Sequence, residues 1–99
     1  MKRTKNQPQI ATPGFAIPLT DETELGLAML IAEFETGDYL PLSPAATIAE
    51  ARELAQHDLR QRMQQLESDG EPSCPAVYKV WARGLEGYAV AAEFDPSTL

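Results

Sequence analysis

The sequence predicts an α+β domain: two helices, over about 22–36 and 48–69, packed on a small antiparallel sheet centred on the hairpin 77–83/88–94. Three observations carry this. A capping box at Thr47–Glu50 opens the longest periodic stretch in the chain. Residues 77–83 and 88–94 alternate in polarity around Gly84-Leu85-Glu86-Gly87. The segment from Asp21 to Gly37 combines an acidic start with Ala, Leu, Met and Glu, all favourable helix formers.

The stretch TIAEARELAQHDLRQRMQQLESDG, Thr47 to Gly70, has both of its ends marked. The Thr47 hydroxyl can accept from one unpaired backbone N–H of the first turn while Glu50 reaches back to another. Ile48, Ala51, Leu54/Ala55, Leu59, Met63 and Leu66 follow in steps of three and four, one stripe along a helix. Gly70 suits the closing residue, and Pro72 and Pro75 forbid continuation. The opposite side carries Glu50, Arg52, Glu53, Gln56, His57, Asp58, Arg60, Gln61, Gln64 and Glu67, which reads as a solvated face. On it Asp58 and Arg62 form an i, i+4 pair in the favourable order, worth about 0.3 kcal/mol.

Asp21–Gly37, DETELGLAMLIAEFETG, supports two readings. As a helix it has Asp21, Glu22 and Glu24 in its first turn and Gly37 as terminator. As a strand over 27–34 it is apolar on both alternating faces, with Thr36-Gly37-Asp38 turning the chain into Tyr39-Leu40-Pro41-Leu42. Ile31 is the one β-branched residue from Leu27 to Phe34, so the balance favours helix. The alternative architecture is ββαββ.

The remaining segments are shorter. Residues 1–13 are polar and read as a disordered tail, 14–95 as a single domain and 96–99 as a frayed terminus. Phe15–Leu19, FAIPL, suits an edge strand, and Tyr39–Ala46, with Pro41 and Pro44, an extended linker. In the hairpin, Gly84 and Gly87 are expected at positive φ, with Tyr78/Val80 and Tyr88/Val90/Phe94 facing the core. Lys79, Arg83 and Glu93 mark the other side, where Trp81 also falls.

Composition narrows function. Fifteen acidic residues against eight basic ones give a formal charge of −7 and a pI near 4.5. Lys2, Arg3 and Lys5 hold three of the eight basic charges, so the body is more acidic still and would repel a phosphate backbone. A lone cysteine, Cys74, makes no internal disulfide and no CxxC metal spacing, which fits a reducing, cytoplasmic setting. No apolar run reaches membrane-spanning length, and the basic start is not followed by a signal-peptide core. No cofactor or metal is expected: the chain has no Gly-rich phosphate loop, and Glu33, Glu35 and Asp38 lack calcium-loop spacing.

Catalysis finds little support. His57 and Asp58 are adjacent on the long helix and so point about 100° apart, while Glu53 can meet His57 as a surface pair. Cys74 has acidic residues and no base near it in sequence. A small enzyme or ligand-binding domain using His57 and a carboxylate stands as an alternative. The better candidates form an interface: Trp81 flanked by Lys79 and Arg83, together with Leu27, Leu30, Ile31 and Phe34 of the apolar segment. The expected function is therefore that of a small, acidic, non-enzymatic interaction or regulatory domain whose partner is a protein or a second copy of itself.

One local resemblance adds an alternative. TIAEARELAQHDLRQRMQQLESDGEP resembles the helix segment of HicB-like antitoxin domains, a Thr-capped, Glu- and Ala-rich helix that follows strands and ends in a Gly-Glu-Pro turn. The likeness covers about a quarter of the chain; the family's aromatic-rich first strand, Pro-Gly-Cys-type loop and DNA-binding tail have no counterpart here. It implies a regulator that binds a small basic toxin.

Overall fold

The computed structural model describes residues 12–69 and 74–99, with side chains other than those of 66–69. The elements run β1 (Ala28–Glu33), β2 (Tyr39–Pro44), α1 (Ile48–Asp69), β3 (Val77–Gly84) and β4 (Gly87–Phe94), then a 3-10 turn at Pro96–Thr98. The strands form one sheet in the order β2-β1-β3-β4, and every neighbouring pair is antiparallel. The fold is α+β with a single helix among the described residues, which makes it the ββαββ alternative.

The expected helix over 22–36 is thus corrected. Its centre is β1, a strand bonded on both sides, to β2 and to β3. Ala28, Leu30 and Ala32 are buried, while Met29, Ile31 and Glu33 are half-exposed on the other face. Helix propensity differences of at most about 0.7 kcal/mol per ordinary residue yield here to two ladders of backbone hydrogen bonds and a buried face. The turn that follows is closed by Phe34 N–H to Asp38 O (2.9 Å) and Gly37 N–H to Phe34 O (2.9 Å).

The linker expected over 39–46 is largely strand as well. β2 lies at the edge of the sheet, where Pro41 and Pro44 cost little because no strand lies beyond to need their missing N–H groups. A register shift between Leu30 and Ile31 leaves Leu42 as the extra residue, packed against the core.

The long helix starts where expected. Glu50 N–H donates to the Thr47 hydroxyl (3.1 Å) and the Glu50 carboxylate accepts from Ala46 N–H (2.6 Å), one residue before the cap. Ala49 N–H, another first-turn donor, goes to Asp21 O (2.9 Å), so the N-terminal segment helps to cap α1. Ile48, Ala51 and Ala55 are buried in one core with Leu30, Tyr78, Val80 and Phe94. Small helix residues let α1 sit close to the sheet. Leu54 and Leu59 are half-buried and Met63 is 48% exposed, so α1 leaves the sheet towards its C-terminal end. Leu66 as a stripe residue, Gly70 as terminator, Pro72 and the tail over 1–11 lie outside the described residues.

Three further expectations change. Residues 15–17 form a bend and 18–19 are irregular, not an edge strand, with Phe15 and Leu19 packed on the core. Thr12, expected in the tail, is held: it accepts from Phe15 N–H through its carbonyl and from Leu19 N–H through its hydroxyl, and beside it Gly14 O accepts from Leu85 N–H (2.8 Å). The C-terminal residues form a capped turn in which Asp95 accepts from Ser97 N–H (2.9 Å), and Leu99 packs against the core. Those Ser97 contacts hold the Asp95 carboxyl below its usual range.

Candidate interaction surface

Helix α1 and residues 12–25 occupy one face of the sheet. The side chains of the opposite face are therefore the candidates. On β1 these are Met29, Ile31 and Glu33; on β3, Lys79, Trp81 and Arg83.

What completes the face is a bulge in β4. Val80 pairs with Ala92 but Trp81 pairs with Val90, so Ala91 is the extra residue and the alternation of β4 inverts beyond it. Phe94 and Ala92 face the helix with Tyr78 and Val80, while Val90 and Tyr88 share the face of Trp81 and Arg83. This corrects the expectation that Tyr88 and Val90 join the core: Tyr88 is 57% exposed. The two hairpin glycines also divide their roles. Gly87 alone takes a positive φ (119°), whereas Gly84 is required for close approach, since a Cβ there would strike the Gly14 carbonyl oxygen.

The outcome is a shallow apolar groove of about 460 Å³ lined by Leu27, Met29, Ile31, Pro44, Trp81 and Tyr88. A second depression of about 260 Å³ continues past Trp81 and Ile31 to Glu33 and Tyr39. Leu27 stands at the edge of the first and Tyr39 at the edge of the second, each 67% exposed. Charge flanks the apolar residues: Lys79, opposite Ile31 on one side and Glu93 on the other, bonds to Glu33 (3.1 Å), and Arg83 lies opposite Tyr88.

Of the residues expected at an interface, the structure brings Trp81, Lys79, Arg83, Ile31 and Leu27 onto this face. Leu30 is not among them: it is fully buried against the helix side. Nor is Phe34, which is half-buried under the Arg62 guanidinium, 5.4 Å from its ring centroid. Met29, Tyr39, Pro44, Tyr88 and Val90 were missed. The strand reading of 27–34 carries a signal for Met29, but nothing in the sequence marks the bulge that turns Tyr88 outward.

The helix face expected to be wholly solvated holds a structural network. Asp58 accepts from the buried Tyr78 hydroxyl (2.8 Å) and from Arg62 Nε (2.7 Å) at the same oxygen. Burial, and then the Asp58 hydrogen bond, push the Tyr78 phenol well above its ordinary range. Asp58 therefore continues the inward line of Ala51 and Ala55, four and three residues on. On the other flank Arg52 bonds Asp21 through two nitrogens (2.9 and 3.2 Å) and lies over the Phe94 ring at 5.3 Å. The Arg52 hydrogen bond holds the Asp21 carboxyl below its usual range.

His57 and Glu53 are both exposed, and the Cys74 thiol is exposed with Met63 Sδ at 3.9 Å. Among the described residues no three of His, Cys, Asp and Glu come together as a metal-binding group, and no helix is long and apolar enough to cross a membrane. Comparisons with protein-family models, with curated proteins and with solved structures find no match.

Proposed function

We propose that this chain is a non-enzymatic protein-interaction domain whose docking surface is the open sheet face around Trp81. The observation that carries the reading is the apolar groove of Leu27, Met29, Ile31, Pro44, Trp81 and Tyr88 on the face opposite α1. A sheet buried on one side only alternates apolar and polar residues along each strand. β1 and β3 break that rule at Met29, Ile31 and Trp81, where solvent-facing positions carry large apolar side chains. Those residues gain nothing by facing water, and apolar patches with a central aromatic and a charged rim are what docking surfaces are made of.

The test is Trp81→Ser. Because Trp81 lies outside the core, the variant keeps the far-UV spectrum and unfolding midpoint of the wild type. As tagged bait beside wild-type bait, it loses whatever the wild type retains, including untagged copies of the chain. A variant that unfolds, or that retains the same partners, refutes the reading.

A second reading, a HicB-like antitoxin-type regulator binding a small basic toxin, is favoured by one observation: the capped helix follows two strands rather than a helix. It predicts co-purification with a small basic protein in stoichiometric amount, and a salt-sensitive complex, since the body of the chain is acidic.

A further inference from the structure

We propose that the open face receives an extended segment of a partner protein carrying an arginine, whose guanidinium seats between Tyr39 and Trp81 against Glu33 while an apolar side chain four residues along fills the groove beside Met29. The inference rests on the docking reading above and adds the chemistry of the partner.

The face is not electrically uniform along its length. Tyr39 and Glu33 pair at one end of the sheet, and there Glu33, Glu35, Asp38, Glu93 and Asp95 stand against Lys79. At the other end Arg83 and Glu86 balance each other. The groove is thus apolar along its course and negative at the Tyr39 end. A cationic side chain arriving there is drawn by several carboxylates at once, and an anionic one is repelled.

The second depression selects the kind of cation. Its walls are Ile31, Glu33, Tyr39 and Trp81, two aromatic side chains and one carboxylate around about 260 Å³. A bare metal ion needs several convergent oxygen ligands, and among the described residues no three acidic groups converge. A guanidinium is flat and weakly hydrated, stacks on aromatic rings and donates to a carboxylate from its edge. The fold already uses this combination twice. Arg52 lies 5.3 Å from the Phe94 ring centroid and bonds Asp21, and Arg62 lies 5.4 Å from that of Phe34 and bonds Asp58. At Tyr39 and Trp81 the rings and the carboxylate belong to this chain, and the guanidinium comes from the partner. Lys79 holds Glu33 Oε1 at 3.1 Å, but a carboxylate has about four acceptor sites, so a second donor is accommodated.

Strand register sets the spacing. Glu33 is level with Tyr39 and Met29 with Trp81, four residues or about 13 Å apart at ~3.3 Å per residue. In an extended segment lying along β1, alternate side chains face the sheet, so an arginine and an apolar residue four positions apart enter the two depressions together.

The experiment is a fluorescence titration of the full chain, whose single tryptophan is Trp81, with a short blocked peptide of Gly, Ser and Thr bearing arginine and leucine four residues apart. Ionic strength is fixed and peptide runs to about 5 mM. A saturable change in Trp81 emission is expected. Citrulline in place of arginine, similar in shape but neutral, weakens binding by about tenfold, as does moving the leucine next to the arginine, which turns the two to opposite sides. Glu33→Gln binds the arginine and citrulline peptides alike. Tyr39→Leu, at an exposed edge position, also loses the preference and serves where Glu33→Gln disturbs the strand. Equal binding of both peptides by the wild type overturns the arginine seat, and indifference to the spacing reduces the effect to general attraction by the acidic body and overturns it too. An unchanged Trp81 emission overturns the whole inference. The docking face is then judged separately by the Trp81→Ser bait comparison, which does not depend on the partner's charge.

Discussion

Replacing Tyr78 by Phe removes one hydroxyl from the core and nothing else. In the wild type that hydroxyl donates to Asp58 at 2.8 Å from a fully buried side chain. A hydrogen bond to a charged acceptor contributes about 1.5–3 kcal/mol net. The low end applies, since Asp58 keeps Arg62 at 2.7 Å and its side chain is 22% exposed, so water can replace the lost donor. The expected loss is about 1.5 kcal/mol, a drop in Tm of about 6–12 °C for a domain of this size. Urea denaturation followed by far-UV circular dichroism reads it as a lower midpoint at unchanged slope. Combining Tyr78→Phe with Asp58→Ala should cost about 1 kcal/mol less than the sum of the two, because the second change finds its partner already gone. There is also a pH signature. A phenol held neutral by the fold ionises first in the unfolded chain, so its stabilisation is complete below about pH 10 and falls as pH rises further. Tyr78→Phe should lack that alkaline loss. A cost below about 0.5 kcal/mol, or additive double-mutant energies, would show that the hydrogen bond to Asp58 carries no stability.

Three other outcomes follow from the packing. Ala55→Leu places three extra carbons where α1 meets the sheet at a fully buried position and should cost about 1–3 kcal/mol, read by the same urea titration. Gly84→Ala should displace the Gly14 carbonyl, break the Leu85–Gly14 hydrogen bond and speed proteolysis within residues 12–25, while leaving the β3–β4 hairpin paired by hydrogen-exchange criteria. Asp21→Asn concerns acid. The Arg52 hydrogen bond holds the folded carboxyl below the usual carboxylate range, so its pairing with Arg52 is fully present above that range and is lost as pH falls through the lower, folded value. Wild type and variant should therefore differ in thermal midpoint near neutrality and converge in acid, once the folded carboxyl is protonated.

The opposite face of the sheet shows how a one-residue register change creates a surface. Had β4 paired with β3 without its bulge, Tyr88 and Val90 would face the helix and Trp81 would stand beside Ala89 and Ala91. With the bulge, Val90 and Tyr88 flank Trp81, and the face becomes a continuous apolar groove. Function on this reading depends on Ala91, a residue without distinctive chemistry.

By itself the sequence determined what local rules can fix. The start of α1 was legible because a cap is a local hydrogen-bond arrangement, Thr47 with Glu50, that needs no distant partner. The β3–β4 hairpin was legible because alternation and a glycine-bounded turn lie within one short stretch. Trp81 could be assigned to the face away from Tyr78 and Val80 by parity alone. What tertiary structure decided were the points where local rules conflict or fall silent. Residues 28–33 have the composition of a helix, and only the two flanking strands made them β1. Asp58 had the look of a surface residue, and only Tyr78, 20 positions away, turned it into a core partner. Leu30 and Ile31 are neighbours of equal hydrophobicity, and the position of α1 sent one into the core and left the other on the open face. In each case the deciding energy comes from a residue remote in sequence, which no reading of the local stretch contains.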